Sequence, residues 1–102
     1  MNFRIAISAT AEHDLASIFQ YIATELCNPE AAEALLTKLE ASIASLRTFP
    51  NRFPAYETEG QMTTVRRLVV ENFLVFYTVD SDAALVQVTS VLYAKRNIAS
   101  LM

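Results

Sequence analysis

The spacing of hydrophobic residues changes along the chain and divides it into a strand, two helices and three further strands. Residues 3–7 alternate between apolar and polar or small side chains, the period of a strand. Over residues 15–46 the apolar positions recur instead at steps of three and four, the period of one helix face. Residues 64–70, 73–79 and 85–93 are again rich in β-branched and aromatic side chains, which predicts three more strands.

The ends of the two helices are marked by short polar residues and prolines. Thr10 is the predicted N-cap of the first helix, since its hydroxyl is suited to accept a bond from a free amide there. The helix should stop near Asn28, because the residue before a proline disfavours helical geometry. Pro29 suits the first turn of the second helix, which Phe49–Pro50 should end. So short a link makes the helices an antiparallel hairpin.

The order of elements defines the expected fold. Glu71–Asn72 and residues 80–82 are turn sequences between the last three strands, whereas residues 51–62 show no period and are the candidate binding loop. We therefore predict one α+β domain over residues 1–102, with the order β-α-α-β-β-β. In it an antiparallel sheet carries the N-terminal helical hairpin on one face.

Composition narrows the class of protein. The 102 residues are 53% hydrophobic with a single glycine, which favours a folded domain. No apolar run is long enough to span a bilayer, and one cysteine cannot form an internal disulfide, so a reducing cytoplasmic location is expected. With Cys27 and His13 each alone of their kind, the sequence contains no metal-ligand spacing and no thiol–imidazole pair, and no cofactor motif is present.

Charge is unevenly distributed, and the basic residues are the main candidates for chemistry. The net charge is −3, but six of the eight lysines and arginines lie in residues 47–102. Arg66 and Arg67 are adjacent on a predicted strand and must point to opposite faces. Lys95–Arg96 follow the last strand and Arg52 lies in the candidate loop. If the two strands are neighbours, the basic pairs gather into a cluster that suits phosphate or an anionic partner.

Each of these groups also has a structural interpretation. The arginines and lysine are equally explained as solubilising charges at a sheet edge, paired with Glu57, Glu59 and Glu71. Tyr77 and Tyr93 have the chemistry to stack on bases or donate a proton, but aromatic residues in strands usually belong to the core.

Five segments share one ordered pattern over nearly the whole chain: AEHDLASIFQYIA at 11–23, NPEAA at 28–32, LRTFP at 46–50, VRRLVVENFLVFYTVD at 65–80 and VLYAKRN at 91–97. In this order they resemble the RelE/ParE superfamily, the toxins of type II toxin–antitoxin systems, also described as plasmid stabilisation proteins. The resemblance implies a cognate antitoxin protein as partner and a toxin–antitoxin hetero-oligomer, with no membrane partner and no metal.

The superfamily has two kinds of target, and the resemblance leaves both open. RelE-like members are mRNA interferases: they cleave mRNA on the ribosome by general acid–base chemistry and so inhibit translation. ParE-like members inhibit DNA gyrase and are not nucleases. We take a ribosome-dependent endoribonuclease as the first hypothesis, a gyrase inhibitor as the alternative, and an inactive antitoxin-binding relative as the third. The sequence lacks the lysine-rich loop of potent RelE-like nucleases, and its acidic balance favours the alternative.

The resemblance assigns roles by position. Arg67 matches the strand arginine that contacts phosphate, and Arg96 matches the basic residue after the last strand. Glu57 or Glu59 takes the place of an acidic loop base, and Tyr93 lies near a terminal His or Tyr of relatives. The expected substrate-binding residues, with Arg66 also the alternative to Arg67, are Arg52, Arg66, Lys95 and Tyr77.

Overall fold

Five strands and two long helices make up the part of the chain that the computed structural model describes, residues 2–53, 55–56 and 65–93. A π-helical turn, Tyr21–Glu25, follows the first long helix, and 3-10 turns at Ser45–Arg47 and Pro50–Arg52 follow the second. The bounds are β1 Arg4–Ile7, α1 Ala9–Gln20, α2 Pro29–Ala44, β2 Ala55–Tyr56, β3 Val65–Val70, β4 Phe73–Asp80 and β5 Leu85–Tyr93. None of the described helices is long and apolar enough to cross a membrane.

The sheet has the order β1-β5-β4-β3-β2. β3, β4 and β5 form the predicted antiparallel meander, with turns at the expected places. β1 pairs with β5 in parallel, Ile5 opposite Val86, so the sheet is mixed. The helical hairpin causes this, because it carries the chain over one face and the meander then returns β5 beside β1 in the same direction. The predicted α+β fold with its helical hairpin is confirmed. β2, which pairs Ala55 with Arg66, lies in the stretch predicted as loop.

The first helix begins two residues earlier than predicted. Ser8, not Thr10, is the N-cap: its Oγ accepts from the backbone N of Ala11 at 3.0 Å. The same hydroxyl donates to the carbonyl oxygen of Thr89 at 2.9 Å, so the cap also joins the helix to β5. The contact with β5 explains the choice of serine, because a hydroxyl at position 8 serves both purposes.

The second helix begins as predicted. Asn28 Oδ1 accepts from the backbone N of Ala31 at 3.1 Å, and Pro29 occupies the first helical position, where its missing amide hydrogen costs nothing. Its C-terminal part passes directly into the first 3-10 turn, Ser45–Arg47. α2 therefore runs from the end of the hairpin link to the loop that precedes β2.

Both helices cover the same face of the sheet and bury one apolar cluster against it. Side chains that alternate along each strand supply the sheet's half of this core. The most buried members are Ala11, Leu39, Ile43 and Leu46 from the helices and their following turn, and Val75, Tyr77, Val86, Val88 and Val91 from the sheet. We call the other side of the sheet the opposite face.

A β-bulge interrupts the pairing of β4 with β5. Phe76 pairs with Ser90 but the next residue, Tyr77, pairs with Val88, so Thr89 is an extra residue in β5. Beyond it, the backbone N of Val91 donates to Asp14 Oδ2 of α1 at 3.0 Å. A helix carboxylate thus binds a strand amide, and this bond fixes α1 against β5.

Candidate functional site

The two adjacent arginines of β3 leave the strand on opposite faces, as alternation predicts. Arg66 shares the helix-covered side with Leu68, whereas Arg67 lies on the opposite face across from Phe76. The Arg67 side chain is half-buried, and no hydrogen bond or ion pair to it occurs within the described residues. Of the predicted basic groups that the structure describes, Arg67 is the one whose guanidinium is available to a ligand.

Arg66 is bound to the protein's own backbone. Its Nη1 donates to the carbonyl oxygens of Asn51 at 3.1 Å and Phe53 at 2.7 Å. Both acceptors belong to the segment that joins α2 to β2. The Arg66 guanidinium positions the loop, because its Nη1 is bound to two main-chain carbonyls. This contact argues against the predicted role of Arg66 in binding substrate.

Arg52 is used in the same way. Its Nη1 donates to the carbonyl oxygens of Thr48 at 2.6 Å, Phe49 at 3.2 Å and Ser45 at 3.3 Å. These carbonyls follow the end of α2, where helical acceptors lack partners and a basic side chain commonly satisfies them. The guanidinium also lies 4.6 Å from the centre of the Phe53 ring, a cation–π contact.

Tyr77, in the core, also donates a hydrogen bond to a backbone carbonyl of this segment. Its side chain is fully buried, and its hydroxyl donates to the carbonyl oxygen of Pro50 at 2.6 Å. Burial raises the pKa of the Tyr77 phenol, and the nearby charges of Arg66 and Arg52 partly oppose that rise. No ring surface remains to stack on a base, so the predicted contact of Tyr77 with substrate is not supported.

Three of the four predicted substrate-binding residues therefore converge, but on the chain itself. Arg52, Arg66 and Tyr77 together make seven hydrogen bonds to residues 45–53, which we call the clamped loop. The sequence predicted these three side chains to bind substrate and gave no sign of their acceptors in the chain itself. It also missed Phe49, which the clamped loop exposes, although the Phe49–Pro50 dipeptide marked the place.

Tyr93 lies at a different surface, an apolar cleft of about 780 Å³ between α1, the turn after it and the start of β4. Its ring is 5.3 Å from that of Phe73 at an interplanar angle of 49°. Tyr21 and Leu26, which also line the cleft, are 55% and 57% exposed. The complete lining in the described residues is Ser17, Ile18, Tyr21, Ile22, Leu26, Phe73 and Tyr93.

The other predicted site residues do not form the expected cluster in the described part of the chain. β4 separates β3 from β5, so the condition for bringing the two basic pairs together as strand neighbours is not met. The remaining candidates, Glu57, Glu59, Lys95 and Arg96, lie outside the described residues.

The described acidic residues form neither the predicted ion pair between Glu71 and the arginines nor a metal site. Glu71, considered above as a partner of the arginines, instead accepts a hydrogen bond from Lys38 of α2. Across residues 2–53, 55–56 and 65–93, no group of three or more His, Cys, Asp or Glu side chains is placed to hold a metal ion.

Comparisons with known proteins identify a family from the sequence and a shared fold from solved structures. The profile of the ParE toxin of the type II toxin–antitoxin system, parDE, matches residues 5–98. No curated protein sequence matches the chain.

Solved structures of toxin–antitoxin complexes share the fold at low sequence identity. The chromosomal ParDE system from P. aeruginosa matches with a TM-score of 0.70 and 20% identity, over 87% of this chain and 92% of that one. The archaeal RelE–RelB complex from Pyrococcus horikoshii OT3 matches with a TM-score of 0.66 and 17% identity, over 94% and 99%. The RelBE2 complex from Mycobacterium tuberculosis gives 0.60 and 18%, over 91% and 92%.

Proposed function

The chain belongs to the family of ParE toxins of type II toxin–antitoxin systems, and from this premise we propose that it stops growth by binding DNA gyrase, without cleaving RNA. The profile that matches residues 5–98 is that of the ParE branch. This match supports the alternative from the sequence, a protein-binding inhibitor, over the first hypothesis, a ribosome-dependent nuclease.

The observation that carries the proposal is that three polar residues predicted to bind substrate are hydrogen-bonded to the protein's own backbone. Cleavage of a phosphodiester needs donors aimed at the charge that develops on the phosphate. Arg52, Arg66 and Tyr77 instead direct their donors at main-chain carbonyls of the clamped loop. Freeing any of them would leave carbonyls of that loop without partners, which is costly where the carbonyl is buried.

Overall charge supports the same conclusion. A protein that binds the RNA-rich ribosomal A site gains affinity from neutralising phosphates, and such proteins are usually basic. This chain carries a net charge of −3. A protein target does not require excess positive charge, since the fully buried part of a protein interface is depleted of charged residues.

We also propose a cognate antitoxin as the second partner, in a toxin–antitoxin hetero-oligomer. The three solved relatives named above are toxin–antitoxin complexes. The apolar cleft supplies a suitable surface, because exposed Tyr21 and Leu26 beside Tyr93 offer pockets for the apolar side of an amphipathic segment. An antitoxin segment bound there would remove this apolar surface from water.

One observation keeps the nuclease as a second candidate. Arg67 lies on the opposite face with no hydrogen-bonding partner among the described residues, and Ser90 lies two strands away across Phe76. A guanidinium in this position is able to bind a phosphate in a bidentate manner. RNA cleavage by this protein would therefore depend on Arg67.

Inducing the chain in cells tests the two mechanisms in one experiment. We expect growth to stop and plasmid DNA to lose negative supercoils, while primer extension on translated messages shows no new ends. Arg67→Ala should leave the arrest intact, as should Arg4→Ala, a matched change of an exposed arginine in β1. New message ends that disappear in Arg67→Ala but persist in Arg4→Ala would establish the nuclease and refute the gyrase proposal.

A further inference from the structure

Phe49 is the most exposed of the large apolar side chains in the described residues. It is 80% exposed, compared with 58% for Val69 and 57% for Leu26. Single exposed apolar residues are common on protein surfaces and need no explanation by themselves. Phe49 differs from such residues in how its backbone is held.

The backbone of Phe49 is in the left-handed helical region, with φ 49° and ψ 56°. Only glycine adopts this conformation without steric cost, because the Cβ of other residues approaches the following carbonyl. An aromatic residue in this region is unusual, and strained residues of this kind concentrate at functional sites. The fold therefore keeps the backbone of Phe49 in a strained conformation, and the aromatic ring of this residue is exposed to solvent.

The clamped loop makes that presentation rigid. The carbonyl of Phe49 accepts from Arg52 Nη1 at 3.2 Å and from the backbone N of Arg52 at 3.2 Å. The next residue, Pro50, is buried and is held by the hydroxyl of Tyr77. A backbone held in this way before binding loses little conformational entropy in a complex, which raises affinity.

The immediate surroundings of the ring are basic. Arg47 and Arg52 are both exposed, and both lie within three residues of Phe49. The carbonyl of Arg47 accepts from the backbone N of Phe3 at 2.8 Å, which fixes its backbone beside β1. An exposed aromatic side chain with two exposed arginines within three residues fits an apolar pocket that carboxylates border.

The structure thus assigns Phe49, with Arg47 and Arg52 beside it, as the anchor through which the toxin contacts its protein target. This inference rests on the proposed function, namely that the toxin acts by binding a protein. The anchor is separate from the apolar cleft, because α2, with 16 residues and a length of about 24 Å, runs between them. The two ends of α2 thus offer two separate surfaces, the apolar cleft for an antitoxin and Phe49 for the target.

Truncation of the ring tests this assignment. Purified Phe49→Ala is compared with Val69→Ala, which shortens another exposed apolar side chain, and with Phe49→Tyr, which keeps the ring. Gyrase supercoiling with each protein, and growth arrest after induction of each, are the readouts. We expect Phe49→Ala to raise the concentration for half-maximal inhibition about tenfold or more and to relieve the arrest, since hot-spot truncations have effects of this size. Both controls should act like the wild type.

The outcomes separate this inference from the proposed function. If wild-type protein does not affect gyrase but Phe49→Ala still relieves growth arrest, the gyrase proposal fails and the anchor stands, with another protein as target. If Phe49→Ala, shown to be folded by circular dichroism, inhibits and arrests growth like the wild type, the anchor is refuted. A wild-type dimer in sedimentation that Phe49→Ala dissociates would assign the ring to a self-contact and equally overturn the inference.

Discussion

Replacing Tyr77 with phenylalanine isolates the hydrogen bond that ties the clamped loop to the core. The substitution keeps the ring and removes the hydroxyl that donates to the Pro50 carbonyl at 2.6 Å. Because the site is fully buried, the carbonyl then loses this partner without gaining water. The expected loss in the free energy of unfolding is about 1–3 kcal/mol, which lowers the melting temperature of a domain this size by roughly 5 °C or more.

Equilibrium unfolding in urea measures that loss, and Tyr21→Phe is the matched control. Tyr21 is 55% exposed, so removing its hydroxyl should change stability by less than about 0.5 kcal/mol. A shift of the urea midpoint without a change in slope would report the lost bond itself. If Tyr77→Phe and Tyr21→Phe had the same midpoint, the Tyr77 bond would contribute nothing and the clamped loop would not depend on it.

Tyr77→Phe should also change how the free energy of unfolding depends on pH. Burial raises the pKa of Tyr77 above its ordinary value near 10, with Arg66 and Arg52 partly opposing the rise. The folded protein therefore holds this proton more tightly than the unfolded chain. That contribution is fully present below pH 10 and declines as the pH rises through the higher folded-state pKa. Wild-type protein should lose more stability than Tyr77→Phe as the pH rises above about 10, and parallel curves would contradict the assignment.

Three further substitutions test other contacts by urea unfolding. Asp14→Ala removes the carboxylate that binds the backbone N of Val91 and should cost about 1.5–3 kcal/mol; a neutral result would mean that water replaces it. Lys38→Ala breaks an ion pair whose side chains are both at least half exposed, so we expect less than about 1 kcal/mol, and a larger loss would contradict this. Phe49→Gly should be more stable than Phe49→Ala by about 1 kcal/mol, because glycine relieves the left-handed backbone; equal stability would argue against strain.

The sequence predicted the bounds of helices and strands correctly where residues close together in the chain determine them. β5 has the predicted bounds because its period-two pattern starts after a turn, and Asn28–Pro29 marked the second helix by chemistry confined to four residues. The first N-cap was misplaced because two hydroxyl residues stand close together. Ser8 is the cap, and its hydroxyl also bonds Thr89, which is 81 positions away and not apparent from the local sequence.

For the candidate site, too, the sequence predicted what neighbouring residues determine and not what distant contacts determine. Strand alternation was enough to place Arg66 and Arg67 on opposite faces. It does not indicate where a long side chain finds its acceptors, and the carbonyls that bind Arg66 are 13 and 15 positions away. The positive φ of Phe49 was equally hidden, because phenylalanine carries no preference for that conformation.

Supercoiling of relaxed plasmid by purified gyrase, with purified toxin added in increasing amounts, measures whether the toxin acts on gyrase. A cell-free translation reaction with the same toxin preparation serves as the parallel arm. If the toxin acts by binding gyrase, supercoiling falls with toxin concentration while the message in the translation reaction stays intact. Unchanged supercoiling together with cleavage of the translated message would contradict it and identify the chain as a nuclease.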